Sequence, residues 1–150
     1  MDMPVVETKQ YRYGPHDEQY IRLSFPSAEG VSPVVIILHG GFWKAKYGVD
    51  NSCIDSLRPF FLARGYTVCE VEYRRREHEG GGFPGTNRDC LHAMEELHRI
   101  AAESGRMNLS RVVLLGHSAG GYLALWLCCK GTGIQLPFFP CMIVAIAPIG

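Results

Sequence analysis

Apolar and polar side chains follow two different periods along this chain, and each period predicts a different kind of element. Residues 8–13 and 19–25 alternate polar and apolar side chains, which predicts two half-exposed strands. Residues 34–39 and 111–115 are mostly aliphatic runs of the kind found in buried strands. Residues 66–73 combine β-branched and aromatic side chains and predict a further strand.

Two longer segments between these strands predict helices. Asp50 or Asn51 can cap a helix that continues to about Arg64 and ends at Gly65. Residues 86–89 read Thr-Asn-Arg-Asp, which is similar to the start of a capping box. The apolar side chains of the helix that follows recur at helical spacing, at Leu91, Met94, Leu97 and Ala101.

The order of these elements predicts the class of fold. Residues 122–127 can continue as a third helix, and the apolar run 143–147 predicts a sixth strand. Strands that alternate with helices are typical of an α/β fold, in which a mostly parallel sheet carries helices on both faces. A chain of 150 residues without internal repeats ordinarily forms one domain.

A serine lies in a glycine-flanked turn directly after one of the buried strand runs. Residues 116–120 read Gly-His-Ser-Ala-Gly, with His117 next to Ser118. Glycine at Gly116 and Gly120 lets the chain turn sharply from strand to helix without a Cβ collision. This spacing and context predict a nucleophile elbow that holds the Ser118 side chain above the sheet.

A second glycine-rich segment, residues 39–43, follows the strand run 34–39 and reads His-Gly-Gly-Phe-Trp. Gly40 and Gly41 leave bare backbone whose N–H groups, or that of Phe42, can stabilise a developing oxyanion. The residue after the serine, Ala119, would supply the other amide. The segment therefore predicts one side of an oxyanion hole.

Each of these segments, taken alone, is better explained as an ordinary glycine-rich turn between strand and helix. Together, in this order and about 75 residues apart, they match a strand-3 loop and a strand-5 elbow. Phe42 and Trp43 are candidates for the wall of an acyl or aryl pocket, with plain core packing as the alternative.

At these residues the chain resembles the α/β-hydrolase superfamily, and most closely its carboxylesterase and kynurenine-formamidase-like branch. The resemblance rests on the His-Gly-Gly-x-Trp segment, on the elbow with its extra glycine at 116–121, and on residues 72–74 and 81–86. It runs from about Tyr20 to the last residue. It implies a serine hydrolase that acts on a small-molecule ester or amide, with no metal or organic cofactor.

The chain departs from this family after the serine. In such folds the acid and then the histidine of the triad follow the nucleophile. The 32 residues after Ser118 contain no Asp, Glu or His. We therefore interpret residues 1–150 as the N-terminal portion of an α/β-hydrolase fold, with strands 1 to 6 present and the strands that carry the triad Asp and His missing.

Three interpretations of function follow. The first is a serine hydrolase that acts through an acyl-enzyme on Ser118 and is inactive as this chain, because a serine without a base is weakly nucleophilic. The second is a non-catalytic truncated product or interaction module. The third, within the enzyme class, is an arylformamidase-type amidase.

Charge and composition narrow the range of partners. The chain has 15 basic and 15 acidic residues, so no net field favours nucleic acid or an anionic membrane. The run 74–76 (Arg-Arg-Arg) is flanked by three glutamates, which predicts a solvated mixed-charge loop, with an anion site as the alternative. No apolar stretch approaches the ~20 residues that span a bilayer.

The expected location is cytoplasmic. The first residues have neither a basic nor an apolar signal region. The six cysteines show no Cys-x-x-Cys spacing and fall mostly in predicted helices and strands, which favours buried thiols in a reducing compartment.

The remaining histidines are not expected to serve as the triad base. His39 and His117 come from the wrong side of the topology, and His92 and His98 are six residues apart on a predicted helix, too far for i,i+4 metal ligation. Residues 141–147 would form an uncharged apolar edge that promotes self-association. The oligomeric state is left open.

Overall fold

The computed structural model describes residues 7–41, 43–51, 56–129 and 133–147. The elements follow one another in the order that the sequence predicts. In chain order they are β1 (Thr8–Arg12), β2 (Tyr20–Ser24), β3 (Ser32–Leu38), α1 (Leu57–Leu62), β4 (Thr67–Val71), α2 (Gly85–Ser104), β5 (Met107–His117), α3 (Ala119–Leu127) and β6 (Met142–Ile146).

The strands form one six-stranded sheet in the order β1-β2-β4-β3-β5-β6. The pairs β4–β3, β3–β5 and β5–β6 are parallel, whereas β1–β2 and β2–β4 are antiparallel. The sheet is therefore mostly parallel, as predicted, with its two antiparallel pairings at one side.

Helices cover both faces of the sheet, because neighbouring residues of β3 point to opposite sides. Val34, Ile36 and Leu38 pack in the larger core cluster with the apolar residues of α2 and α3. Val35 and Ile37 pack on the other side, where the apolar residues of α1 lie. Both predictions, the α/β class and the two-sided helical cover, are confirmed.

The first helix is shorter than predicted. It begins at Leu57 rather than at Asp50 or Asn51, and ends at Leu62. Asn51 closes a turn instead, because its side chain accepts a hydrogen bond from the Gly48 amide at 2.6 Å and donates to the Lys46 carbonyl. A side chain used in this way is not available to cap a helix.

The start of α2 also differs from the prediction. The helix begins at Gly85, one residue before the segment predicted as a capping box, and makes no side-chain capping hydrogen bond. The hydroxyl of Thr86 accepts from the Gly82 amide and donates to the Arg74 carbonyl, so it joins the preceding loop. Asp89 binds the Arg74 guanidinium. The Thr86 hydroxyl and the Asp89 carboxylate, which the local pattern predicts to cap the helix, are thus used in contacts with the preceding loop.

Two further predictions concern exposure. Cys69 and Cys90 are buried thiols, as expected, but Cys129 and Cys141 are exposed, so the expectation of buried cysteines is only partly right. Cys53 lies outside the described residues. No helix in the described ranges has the length and hydropathy needed to cross a membrane.

The strand β6 lies at an edge of the sheet, since among the described strands it pairs only with β5. Its apolar side chains are exposed there: Met142 retains 57%, Ile146 42% and Ile143 39% of its accessible surface. The position and exposure agree with the expected apolar edge, and self-association through it remains a prediction.

The carboxyl ends of three neighbouring strands meet at one edge of the sheet. In the register of the sheet, Leu38 lies beside Val71 of β4 on one side and Gly116 of β5 on the other. The loops that follow β4, β3 and β5 therefore start side by side. Ligand sites in open α/β sheets form at this edge.

Candidate active site

The turn after β5 has an unusual backbone conformation at the serine. Ser118 has φ 57° and ψ −117°, a conformation that costs a residue with a side chain about 1–3 kcal/mol. Hydrogen bonds hold it, because the Ser118 amide donates to the Ile146 carbonyl at 2.8 Å and the Ser118 carbonyl accepts from the Gly121 amide at 2.9 Å. A sharp strand-to-helix turn of this kind projects the Ser118 side chain from the sheet edge.

The two glycines of this turn lie where no side chain fits. A Cβ on Gly116 would lie 2.1 Å from the Gly120 carbonyl oxygen. A Cβ on Gly120 would lie 1.9 Å from the carbonyl oxygen of Leu38 in β3. The second contact joins the turn directly to the end of the neighbouring strand.

The loop after β3 packs against this turn. A Cβ on Gly40 would lie 3.0 Å from both the Ser118 Cβ and His117 Nδ1. Gly41 has φ +132°, and a Cβ there would lie 2.3 Å from the Cβ of Tyr47. The missing side chain of Gly40 therefore lets the loop approach the serine, whereas that of Gly41 leaves room for Tyr47.

Two of the amides predicted for the oxyanion hole have no hydrogen-bond acceptor among the described residues. Neither the Gly41 amide nor the Ala119 amide donates a hydrogen bond within the described part of the chain. Gly40 packs against Ser118, and Ala119 follows it in the chain; the role of these residues and of Gly41 in an oxyanion hole stays a prediction. Phe42, the remaining predicted member, lies outside the described residues.

The serine itself is only 7% exposed. Within residues 7–41, 43–51, 56–129 and 133–147, no side chain makes a hydrogen bond to its hydroxyl. The ring of His117 lies next to Gly40. The described residues thus contain the predicted nucleophile and amide donors but no base in contact with the nucleophile.

Trp43 lies next to the site and packs on its helix. Its ring meets that of Tyr122 in α3 edge to face, with 5.6 Å between centroids. Its carbonyl accepts a hydrogen bond from the Arg76 amide at 3.0 Å, and it has φ 64°. Trp43 is half-buried against the larger core, so packing accounts for its contacts, and a role in a pocket wall remains a prediction.

A buried pair of ionisable side chains lies behind the loop, and the sequence interpretation gave it no role. His39 and Glu72 are 2% and 3% exposed. Nε2 of His39 lies 2.7 Å from Oε1 of Glu72, and Nδ1 lies 2.7 Å from the Gly40 carbonyl oxygen. A carbonyl oxygen only accepts hydrogen bonds, so Nδ1 is the donor in the second contact.

Glu72 is surrounded by donors. Besides His39, its carboxylate accepts from the Val49 amide at 3.0 Å, from the Tyr73 amide at 3.1 Å and from the Arg75 guanidinium. Burial alone would raise the pKa of Glu72, but the hydrogen bond and charge of His39, together with Arg75, outweigh it, and the pKa is lowered. The carboxylate is therefore held in its charged form.

Tyr73 completes this arrangement. Its ring stacks on the His39 ring, with 4.4 Å between centroids and 7° between planes. Its hydroxyl donates to the His39 carbonyl at 2.6 Å. Burial raises the pKa of Tyr73 well above its ordinary value, so the phenol keeps the proton that it donates.

The arginine run is not the solvated loop that the sequence predicts. Arg75 is 3% exposed and pairs with Glu72 and with Glu18, the latter at 2.9 Å. Arg74 makes a two-point contact with the fully buried Asp89. The loop folds back over the end of β4 because these carboxylates compensate the buried Arg75 and the partly buried Arg74, whereas Arg76 is exposed.

The other histidines match their expected positions. His92 and His98 are exposed on α2. Within the described ranges, no group of three or more His, Cys, Asp or Glu side chains is arranged to hold a metal ion.

Comparison with known proteins gives three kinds of result. The BD-FAE family model matches residues 23–136. No curated protein matches the chain. Among solved structures, esterase B from Lactobacillus rhamnosis HN001 is 23% identical with a TM-score of 0.79, over 95% of this chain and 48% of its own length.

Two further solved structures share the fold. A sugar hydrolase from Lactococcus lactis is 23% identical with a TM-score of 0.65, over 95% of this chain and 53% of its own. The bacterial brefeldin A esterase, a homologue of human hormone-sensitive lipase, is 28% identical with a TM-score of 0.61, over 83% of this chain and 36% of its own. The chain spans less than two thirds of the length of each of the three structures: about half of esterase B and of the sugar hydrolase, and less of the brefeldin A esterase. The chain belongs to the BD-FAE family and has the α/β-hydrolase fold of these hydrolases.

Proposed function

We propose that this chain carries the nucleophile and the oxyanion hole of a serine hydrolase that cleaves a small-molecule ester or amide. Ser118 Oγ attacks the acyl carbonyl, and its proton passes to a base. The alcohol or amine then leaves, and water hydrolyses the acyl-enzyme. The Gly41 and Ala119 amides, with Gly40 or Phe42 beside them, stabilise the oxyanion of the tetrahedral intermediate.

The observation that carries this proposal is the approach of the two loops. A Cβ on Gly40 would touch the Ser118 Cβ at 3.0 Å, and the Gly41 and Ala119 amides hydrogen-bond to nothing else in the described segments. One such donor typically contributes about 3 kcal/mol to the transition state, or ~10²–10³ in rate. Ala119 is buried, and a buried amide without an acceptor is uncommon, which favours a ligand oxygen as its partner.

Residues 119–150 contain no Asp, Glu or His, so we assign no base within this part of the chain. The 150-residue chain is then nearly inert toward an activated ester such as p-nitrophenyl acetate. Residues of the site outside these two loops would determine whether the substrate is an ester or an amide, including a formamide. A cytoplasmic location is proposed from the buried thiols Cys69 and Cys90.

The test supplies the base from solution. A tributyrin phosphonate inhibits esterase B, and an alkyl fluorophosphonate is a related probe. Its phosphorus forms a bond to Ser118 Oγ while fluoride leaves and imidazole in the buffer takes the proton. Intact mass and peptide mapping then give the rate and the position of the adduct.

We expect imidazole to accelerate formation of an adduct at Ser118, and Ser118→Ala to remove that adduct. Gly41→Val should slow it about 10²-fold, because the loop loses an oriented donor. An adduct that forms equally fast in Ser118→Ala, or no adduct in the folded chain with imidazole, contradicts the proposal. Ser118-dependent turnover of p-nitrophenyl acetate at the rate of an intact esterase would contradict the absence of a base.

A further inference from the structure

The carbonyl groups of the oxyanion loop are fixed by two buried side chains, and this bears on the direction of its amides. The His39 carbonyl accepts from the Tyr73 hydroxyl at 2.6 Å. The Gly40 carbonyl accepts from His39 Nδ1 at 2.7 Å. Both acceptors belong to the two peptide units that end in the Gly40 and Gly41 amides.

A trans peptide unit is planar, and its C=O and N–H groups point in opposite directions. Among the described residues the only cis bond is Phe83–Pro84, so both units of the loop are trans. Fixing the His39 carbonyl therefore fixes the Gly40 N–H, and fixing the Gly40 carbonyl fixes the Gly41 N–H. Without such anchors, two successive glycines would leave these amides free to rotate.

The anchors are themselves held. The His39 ring is clamped between the Glu72 carboxylate, 2.7 Å from Nε2, and the face of Tyr73. The carboxylate is fixed in turn by the Val49 amide and by Arg75. Each group is buried, so these hydrogen bonds are not weakened by competition with water.

We propose that Tyr73 and the Glu72-bound His39 are positioning residues that preset the Gly40 and Gly41 amides for the oxyanion. This inference rests on the proposed function for its catalytic consequence. Its structural part, the direction of the two amides, can be measured without any reaction. Donors that need no reorientation during the reaction give the largest electrostatic stabilisation.

The test compares two tyrosines that make the same kind of bond. Tyr73→Phe removes the hydroxyl that holds the loop and keeps the ring that stacks on His39. The matched control is Tyr13→Phe, because the Tyr13 hydroxyl also donates to a carbonyl at 2.6 Å, but to that of Glu72, outside the loop. Both variants lose one hydroxyl-to-carbonyl bond, so a loss of stability alone does not distinguish them.

The first readout is the amide spectrum of the isotope-labelled chain. We expect the ¹H–¹⁵N shifts of Gly40 and Gly41 to change several-fold more in Tyr73→Phe than in Tyr13→Phe. Equal changes in the two variants would overturn the proposal. This readout holds whether or not Ser118 reacts, so its failure is distinct from failure of the proposed function.

The second readout is the rate of Ser118 phosphonylation with imidazole present. Tyr73→Phe should lower the maximal rate at least about ten-fold, with the half-saturating probe concentration changed less than about two-fold, because the donors act mainly in the transition state. Tyr13→Phe should stay within about two-fold on both. Equal rates in the two variants would overturn the positioning role.

A second pair of variants tests His39. The amide nitrogen of His39→Asn takes the place of Nδ1 and can still donate to the Gly40 carbonyl, whereas that of His39→Gln takes the place of Nε2. We expect the Asn variant to label at least about five-fold faster than the Gln variant. The reverse order would show that the contact with Glu72, and not the contact with Gly40, is what matters.

Discussion

The two loops of the candidate site are held by different kinds of contact. The turn after β5 is fixed by backbone packing, since a Cβ on Gly120 would lie 1.9 Å from the Leu38 carbonyl oxygen. The loop after β3 is fixed by buried polar side chains, since His39 contacts Glu72 and accepts the Tyr73 hydroxyl at its carbonyl. Backbone packing excludes any added atom but is indifferent to charge. A buried polar arrangement depends on charge and therefore on pH.

Loss of the Glu72 carboxylate should have the largest effect on stability. Glu72→Ala leaves the buried His39 without its carboxylate and Arg75 with Glu18 alone, and breaking a buried ion pair in this way costs about 3–5 kcal/mol. Urea unfolding measures the change. Glu96→Ala, which removes one of the two carboxylate partners of Arg99 on the surface of α2, should cost no more than about 1 kcal/mol. A Glu72→Ala loss as small as that of the control would show that the buried pair stabilises little.

An added methyl group at Gly120, in the turn after β5, should have the second-largest effect on stability. Gly120→Ala should lower the free energy of unfolding by about 3 kcal/mol, because the methyl meets backbone atoms rather than a movable side chain. Gly105→Ala is the control, since a Cβ there meets nothing within 4 Å. It costs only the left-handed conformation, about 1 kcal/mol. Equal melting temperatures for the two variants would contradict the close approach of the turn to β3.

The two loops should differ in how their contributions to stability depend on pH. The pKa of Glu72 is lowered in the folded chain from an ordinary value of 4.5, so the unfolded chain binds the proton more tightly. Its contribution to stability is present above that value and is lost as the pH falls through the folded pKa. Glu72→Gln should therefore flatten the acid limb of unfolding free energy against pH, whereas Gly120→Ala should shift the curve without changing its slope. Parallel curves for the unaltered chain and Glu72→Gln would contradict this assignment.

The smallest expected effect is relief of strain at the nucleophile. Ser118→Gly should stabilise the chain by about 1 kcal/mol, because glycine adopts φ 57° without the steric cost of a Cβ. Ser118→Ala keeps the Cβ and should not stabilise. Thermal melts of the two variants decide between them, and a Ser118→Gly variant no more stable than Ser118→Ala would mean that the turn stores no strain.

The same contrast explains which features the sequence predicts. The strands and the glycines of the turn can be predicted from the sequence, because an aliphatic run or a missing side chain determines the structure of its own segment. The predicted caps failed because Asn51 closes a local turn with Gly48, and because Asp89 binds Arg74, fifteen positions earlier.

The pair behind the oxyanion loop could not be derived from local pattern either. His39 and Glu72 are 33 positions apart and meet only because β3 and β4 are parallel neighbours that end at the same edge. The available signal was an acidic residue at the end of an apolar strand run, where a buried charge needs a partner. The arginine run was wrongly predicted as a solvated loop for the same reason, because two of its carboxylate partners, Glu18 and Asp89, are distant in sequence.

If the two loops form one oxyanion hole around Ser118, the amide resonances of the phosphonylated chain should show it. The phosphonyl oxygen of the adduct occupies the place of the oxyanion. We expect the Gly41 and Ala119 amide protons to move downfield together when Ser118 is labelled, because both donate to that oxygen. If Ser118 carries the phosphonate and these two amides do not move, the loops do not share an oxyanion, and the account is wrong.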